Sequence, residues 1–146
     1  MRVTLAGPVK TAGLRTGTLQ ISPASVTRRG DYLLVNLLAR NVGDDEVTFW
    51  DFLGGGVFAE RHLSDPYRPF GSTGVRLLDG GTASYPLDYQ PEKSVHACLC
   101  DEHIGDKLPP GSQRLISLWY PAPPTGTTAI TVDVPDRFRI TDVPIS

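Results

Sequence analysis

The chain has 146 residues, 40% of them hydrophobic and 21% charged, which is the size and balance of one globular domain able to bury an ordinary core without metal or disulfide staples. A formal net charge of -2 and a pI near 5.9 leave no broad cationic surface to neutralise phosphates, which argues against nucleic acid as a partner. The longest apolar runs fall far short of the roughly 20 residues a membrane-spanning helix requires, and 15 Gly with 13 Pro imply frequent turns between short strands.

The N-terminus, Met1 to Pro8, carries Arg2 but no sustained apolar stretch, so it does not read as a secretory signal. Gly17 to Arg28 places Leu19, Ile21 and Val26 around Pro23, whose missing N–H predicts an edge or bulged strand. Tyr32 to Arg40 (YLLVNLLAR) is entered through Arg29-Gly30-Asp31 and left through Asn41 to Asp45, and its near-continuous apolarity predicts a central strand. Glu46 to Trp50 starts another, with Val47 and Phe49 on one face. Gly54-Gly55-Gly56 interrupts the pattern, and a short strand is expected at Val57 to His62 before a proline-bearing loop at Ser64 to Pro69.

Val75 to Leu78 and Thr82 to Leu87 flank Asp79-Gly80-Gly81 and predict a hairpin, because Asp-Gly supplies the backbone angles of a tight connection. Ser94 to Cys100 reads as a short strand. After the turn Leu108-Pro109-Pro110-Gly111, Gln113 to Tyr120 alternates Leu115, Ser117 and Trp119 against Ile116, Leu118 and Tyr120; both faces are largely apolar, which predicts a central strand. Thr127 to Val134 has Ile130, Val132 and Val134 inward and Thr131 and Asp133 outward, and Phe138 to Thr141 is the last strand. Seven to nine strands without helical periodicity predict an all-β, immunoglobulin-like two-sheet antiparallel sandwich, a single domain over residues 1–146.

Three stretches, Tyr32 to Gly43, Cys98 to Gly111, and Trp119 to Pro124 continuing through Val132-Asp133-Val134-Pro135 to Asp142-Val143-Pro144-Ile145, together resemble the extracytoplasmic immunoglobulin-like domains of actinobacterial lipoproteins and cell-envelope proteins. The resemblance covers about two thirds of the chain. It implies a sandwich and an extracytoplasmic location, secreted or lipid-anchored where a signal precedes Met1 and cytoplasmic otherwise, and it implies no reaction.

One segment gathers metal-ligating residue types: His96-Ala97-Cys98-Leu99-Cys100-Asp101-Glu102-His103 holds two of the three histidines and both cysteines. Imidazole and thiolate suit zinc or copper, so His96, Cys98, Cys100 and His103 are candidate ligands. On an extended strand His96 and Cys100 stand about 13 Å apart, so Cys100 and His103 across a turn form the better pair, with His62 as a third donor. A second reading joins Cys98 to Cys100 in a small disulfide ring that fixes a local kink while closing almost no chain.

Arg29-Gly30-Asp31 matches an adhesion tripeptide but reads as a hairpin connection. Gly54-Gly55-Gly56 lacks the Lys-Ser or Lys-Thr of a phosphate loop. There is no Gly-x-Ser-x-Gly elbow, and Asp44, Asp45 and Glu46 read as a solvated acidic corner, with weak calcium binding as its alternative, rather than as a general acid and base. Trp50, Trp119, Tyr85 and Tyr89 suit either core packing or a ligand groove. These features predict a non-catalytic binding module without a cofactor, meeting an envelope or secreted protein partner through its loops and an exposed sheet face. The rival reading is a zinc- or copper-binding, or redox-responsive, protein using His96 to His103.

Overall fold

The computed structural model describes residues 5, 7–14, 17–48, 75–92, 95–98, 107–134 and 138–146. In chain order these form β1 (Lys10–Leu14), β2 (Gly17–Arg29), β3 (Tyr32–Asn41), β4 (Val47–Thr48), β5 (Arg76–Asp79) and β6 (Thr82–Ser84). There follow β7 (Asp88–Glu92), β8 (Val95–Cys98), β9 (Lys107–Leu108), β10 (Gln113–Pro121), β11 (Ala129–Val134) and β12 (Phe138–Pro144). Two antiparallel four-stranded sheets, ordered β1-β2-β3-β10 and β12-β11-β5-β6, make the expected all-β two-sheet sandwich, and β4-β9 and β7-β8 add short ribbons. The expected strand at Val57 to His62 lies outside the described residues, as do Phe49 and Trp50.

Period-two patterning decides which side of each sheet is core. Along β3, Leu33, Val35, Leu37 and Ala39 are fully buried, while Tyr32, Leu34, Asn36, Leu38 and Arg40 face outward. Antiparallel pairing sets Ile116, Leu118 and Tyr120 of β10 opposite Leu37, Val35 and Leu33, so inward residues meet across the ladder as the pleat requires. Ile130, Val132 and Val134 of β11 with Ile140 and Val143 of β12 complete the core from the second sheet. Each fully buried leucine in this cluster contributes a few kcal/mol, about 2–5 by truncation to alanine.

The sheets are also tied by polar groups. The fully buried Tyr120 hydroxyl donates to the Val75 carbonyl at 2.7 Å, and its burial pushes the phenol well above its ordinary pKa of 10. Arg28 donates to the carbonyls of Pro123 (2.7 Å), Pro124 (2.7 Å) and Thr127 (3.0 Å), clamping the connection between β10 and β11.

Of the two alternatives for Gly17 to Arg28 the bulge holds and the edge does not, and the central placing of β10 is corrected. β2 is internal, because β1 pairs with it from Lys10 opposite Ile21 to Leu14 opposite Gly17. Pro23 is tolerated because it lies beyond the end of β1, at a register shift between Pro23 and Ser25 where a bulge absorbs the missing donor. Along the rest of β2, Ser146 takes over: its N–H donates to Val26 (2.9 Å) and its carbonyl accepts from Arg28 N–H (3.1 Å). β10, read as central from its two apolar faces, is the last strand of its sheet among the described residues; its second apolar face is the outer surface of the sandwich.

The hairpins form at the expected turns. Gly30, at φ 62°, is the first of two residues linking the Arg29–Tyr32 pair, and Gly80, at φ 58°, plays the same part between Asp79 and Thr82. Both use the left-handed backbone region that glycine enters without a Cβ penalty. After β3 the chain turns around Asn41, which is fully buried. Its Nδ2 donates to Asp45 O (2.7 Å) and Leu108 O (2.9 Å), and its Oδ1 accepts from Gly43 N–H (3.0 Å). This amide holds the acidic corner against β9, where Lys107 pairs with Glu46 at 3.2 Å on the surface.

Candidate functional site

The outer face of β1-β2-β3-β10 is built by the same alternation that builds the core. Register places its side chains in rows: Arg29, Tyr32 and Pro121; Thr27, Leu34 and Trp119; Ser25, Asn36 and Ser117; Ser22, Leu38 and Leu115; Gln20, Arg40 and Gln113. Tyr32 and Leu115 are 49% and 46% exposed, and Leu34, Leu38 and Trp119 are half-buried. Large apolar side chains therefore stand on a solvent-facing sheet surface where an ordinary sandwich strand places polar ones.

The middle row is polar and internally bonded. Asn36 Nδ2 donates to Ser25 Oγ at 2.9 Å, and Ser117 Oγ donates to Asn36 Oδ1 at 2.6 Å. The bonds fix the amide's orientation and use one of its two donors. The face is thus two apolar patches, Leu38 with Leu115 and Leu34 with Trp119 and Tyr32, on either side of a rigid polar bar. The rows at the two ends carry Arg29 and Arg40, both exposed, and none of the outward positions of β1, β2, β3 and β10 is Asp or Glu.

The opposite outer face is organised differently. Asp133 points outward from β11, as its alternation predicts, yet its side chain is only 4% exposed. Arg76 of β5 and Arg139 of β12 cover it, with Nε to carboxylate distances of 2.6 and 3.0 Å. The hydrogen bond to Asp133 is the main cause raising the Arg76 pKa. The carboxylate is fully engaged by the two guanidinium groups that flank it, so the cluster reads as a staple across three strands.

An apolar hollow of about 250 Å³ opens beside Leu5, Ala24, Val26, Pro144 and Ile145. It falls below the 300–1,000 Å³ usual for small-molecule sites and lacks convergent charged groups.

Of the residues singled out as metal ligands, His96 and Cys98 lie two apart on β8, with Asp88 of β7 opposite Cys98. Cys100, His103 and His62 lie outside the described residues, and with them the expected Cys98 to Cys100 bond. No three His, Cys, Asp or Glu side chains converge as a metal site among the described residues. Arg29-Gly30-Asp31 is the β2–β3 turn. Trp119 takes part in the outer face, which its alternation with Tyr120 foreshadowed; the contributions of Leu34, Leu38 and Arg40 needed the β3–β10 register. Among the described residues no helix is long and apolar enough to cross a membrane. Comparison with protein-family models, curated proteins and solved structures finds no match for this chain.

Proposed function

We propose that this domain is a non-catalytic binding module that meets a protein partner through the outer face of β1-β2-β3-β10. The observation that carries the reading is the exposed apolar pair of patches around the Ser25–Asn36–Ser117 bar, with Arg29 and Arg40 at its ends. Interfaces combine such apolar contact area with Arg at a polar rim, and aromatic side chains such as Trp119 and Tyr32 are the anchors that dominate their energetics. A rigid sandwich suits the task, because the strands hold the rows in register before any partner arrives. The bacterial envelope as its setting, and zinc, copper or redox chemistry in the His96 to His103 segment as a rival role, rest on sequence alone.

A photo-crosslinking amino acid placed at position 115, and separately at position 83 on the other sheet, tests the face in cells of the natural host. Crosslinks to a defined protein from position 115, reproduced with the purified pair, are expected. Crosslinks only from position 83, or none from either, would overturn the reading.

A further inference from the structure

We infer that the occupant of this face is an extended acidic peptide segment with two apolar residues between its charged ends, a conclusion that rests on the binding-face reading above. Three features select it. The first is size. Eight residues separate Tyr32 from Arg40 along β3, about 27 Å at 3.4 Å per residue. Three strands about 4.8 Å apart, with side-chain margins, give a width of about 14 Å. A face on the order of 400 Å² is half the roughly 800 Å² per partner of a stable folded interface, so a second copy of this chain or another globular domain would be held poorly. A single extended strand fits it.

The second is charge. The chain carries a net charge of -2, yet this face presents Arg29 and Arg40 and no outward carboxylate among its rows. The opposite face spends its arginines on Asp133, whereas none of the side-chain hydrogen bonds or ion pairs described above engages Arg29 or Arg40. A ligand with carboxylates at both ends is matched, and complementarity of this kind sets orientation and on-rate.

The third is spacing. Same-face positions of an extended peptide recur every 6.8 Å or so, the spacing of the rows themselves. A nine-residue segment lying along β3 sets its first residue over Arg29 and Tyr32 and its third over Leu34 and Trp119. The fifth then meets the polar bar, the seventh Leu38 and Leu115, and the ninth Arg40. Carboxylates at positions one and nine and apolar side chains at three and seven follow. The bar has already committed Asn36 to Ser25 and Ser117, which leaves little capacity for the dense hydroxyl pattern of a sugar chain. A polar bar across the middle also disfavours burial in a lipid surface.

The test uses the whole domain. A displayed library of random nine-residue peptides is selected on it, and the enriched peptides are measured by fluorescence anisotropy in 0.05 M and 0.5 M NaCl. Enrichment of acid–x–apolar–x–x–x–apolar–x–acid sequences is expected, with affinity falling at least tenfold in Arg40→Glu and in Leu115→Glu, and several-fold at the higher salt. Both substitutions lie on exposed positions, and unchanged circular dichroism melting confirms the fold. No enrichment, enrichment of basic peptides, or affinity indifferent to Arg40→Glu overturns the inference. Polygalacturonate or vesicles containing 30% phosphatidylglycerol bound in preference, in a manner lost in Leu115→Glu, overturn the peptide while leaving the face as the binding surface. Crosslinking solely from position 83 removes both.

Discussion

Asn41→Ala is the most informative single perturbation of the fold. The Asn41 side chain is fully buried and makes three hydrogen bonds, two donated to the carbonyls of Asp45 and Leu108 and one accepted from Gly43 N–H. Alanine leaves all three partners without it. The Leu108 carbonyl is buried and loses its partner without water to replace it, at about 1–2 kcal/mol. Asp45 and Gly43 lie nearer solvent, so each recovers part of its loss and costs about 0.5–1 kcal/mol. The expected destabilisation is about 3 kcal/mol, read as a lower urea midpoint at unchanged m value and as a fall in Tm of about 10 °C for a domain of this size. Asn41→Asp sharpens the test. It keeps the acceptor for Gly43 but turns a carboxylate toward two carbonyl oxygens, so it costs more than alanine at pH 7. Its folded-state pKa must then rise, and stability returns as pH falls toward 4. A loss below 1 kcal/mol for Asn41→Ala, or an Asn41→Asp variant more stable than it, would refute the assignment of this amide as the anchor of the turn.

Other consequences are equally measurable. Tyr120 is protonated in the core and its pKa is raised, so the stability it confers is complete below pH 10 and declines as pH climbs beyond that value. Tyr120→Phe flattens this alkaline limb while costing about 1–2 kcal/mol at pH 7 through loss of the Val75 bond, and an unchanged limb in urea titrations would contradict the account. Asp133→Ala removes the buried carboxylate shared by Arg76 and Arg139 while Arg76 keeps its bond to Tyr85; a loss of about 1–2 kcal/mol is expected, with Arg139 contributing little because it is more than half exposed. A loss no larger than that of Arg139→Ala would show that the staple is not cooperative. Gly80→Ala meets no atom within 4 Å but must hold φ near 58°, so it costs about 1 kcal/mol, and a neutral result would imply a rearranged turn. Protein secreted through an oxidising compartment is expected to alkylate at Cys98 and Cys100 only after reduction; free thiols there would exclude the ring.

The sandwich was legible because its central evidence is local. Alternation in Thr127 to Val134 named Ile130, Val132 and Val134 as inward side chains, the apolar runs Tyr32 to Arg40 and Gln113 to Tyr120 marked two long strands, and Asp-Gly at residues 79–80 named a turn. What escaped was pairing. Lys10–Leu14 has no apolar period of its own and becomes a strand only because β2 offers it a ladder, so Pro23 read equally as the mark of an edge and of a bulge, and only the bulge holds. The two apolar faces of β10 suggested burial on both sides, whereas one of them is the outer surface. Asp133 was correctly turned outward, but its burial depends on arginines at positions 76 and 139, one of them 57 residues away. The candidate face was half visible: Trp119 and Leu115 share a side by period, and only the β3 register adds Leu34, Leu38 and Arg40. The cysteine and histidine segment stood out by composition, which says which ions would suit it and nothing about convergence.

The pairing of Ser146 with Val26 and Arg28 bears on how the molecule is assembled. The β2–β3 hairpin closes over a two-residue connection and can form as soon as both strands exist, yet the far half of β2 waits for a residue 120 positions later. Synthesis at 5–20 residues per second leaves that stretch of backbone unpaired on one side for several seconds, since among the described residues the β1 ladder ends at Ile21. The bulge between Pro23 and Ser25 and the proline itself fall within this exposed interval, where they interrupt the regular row of donors that another chain would need to pair with it. The same irregularity that marks the strand as hard to extend would make it a poor template for a second chain until Ser146 pairs with it.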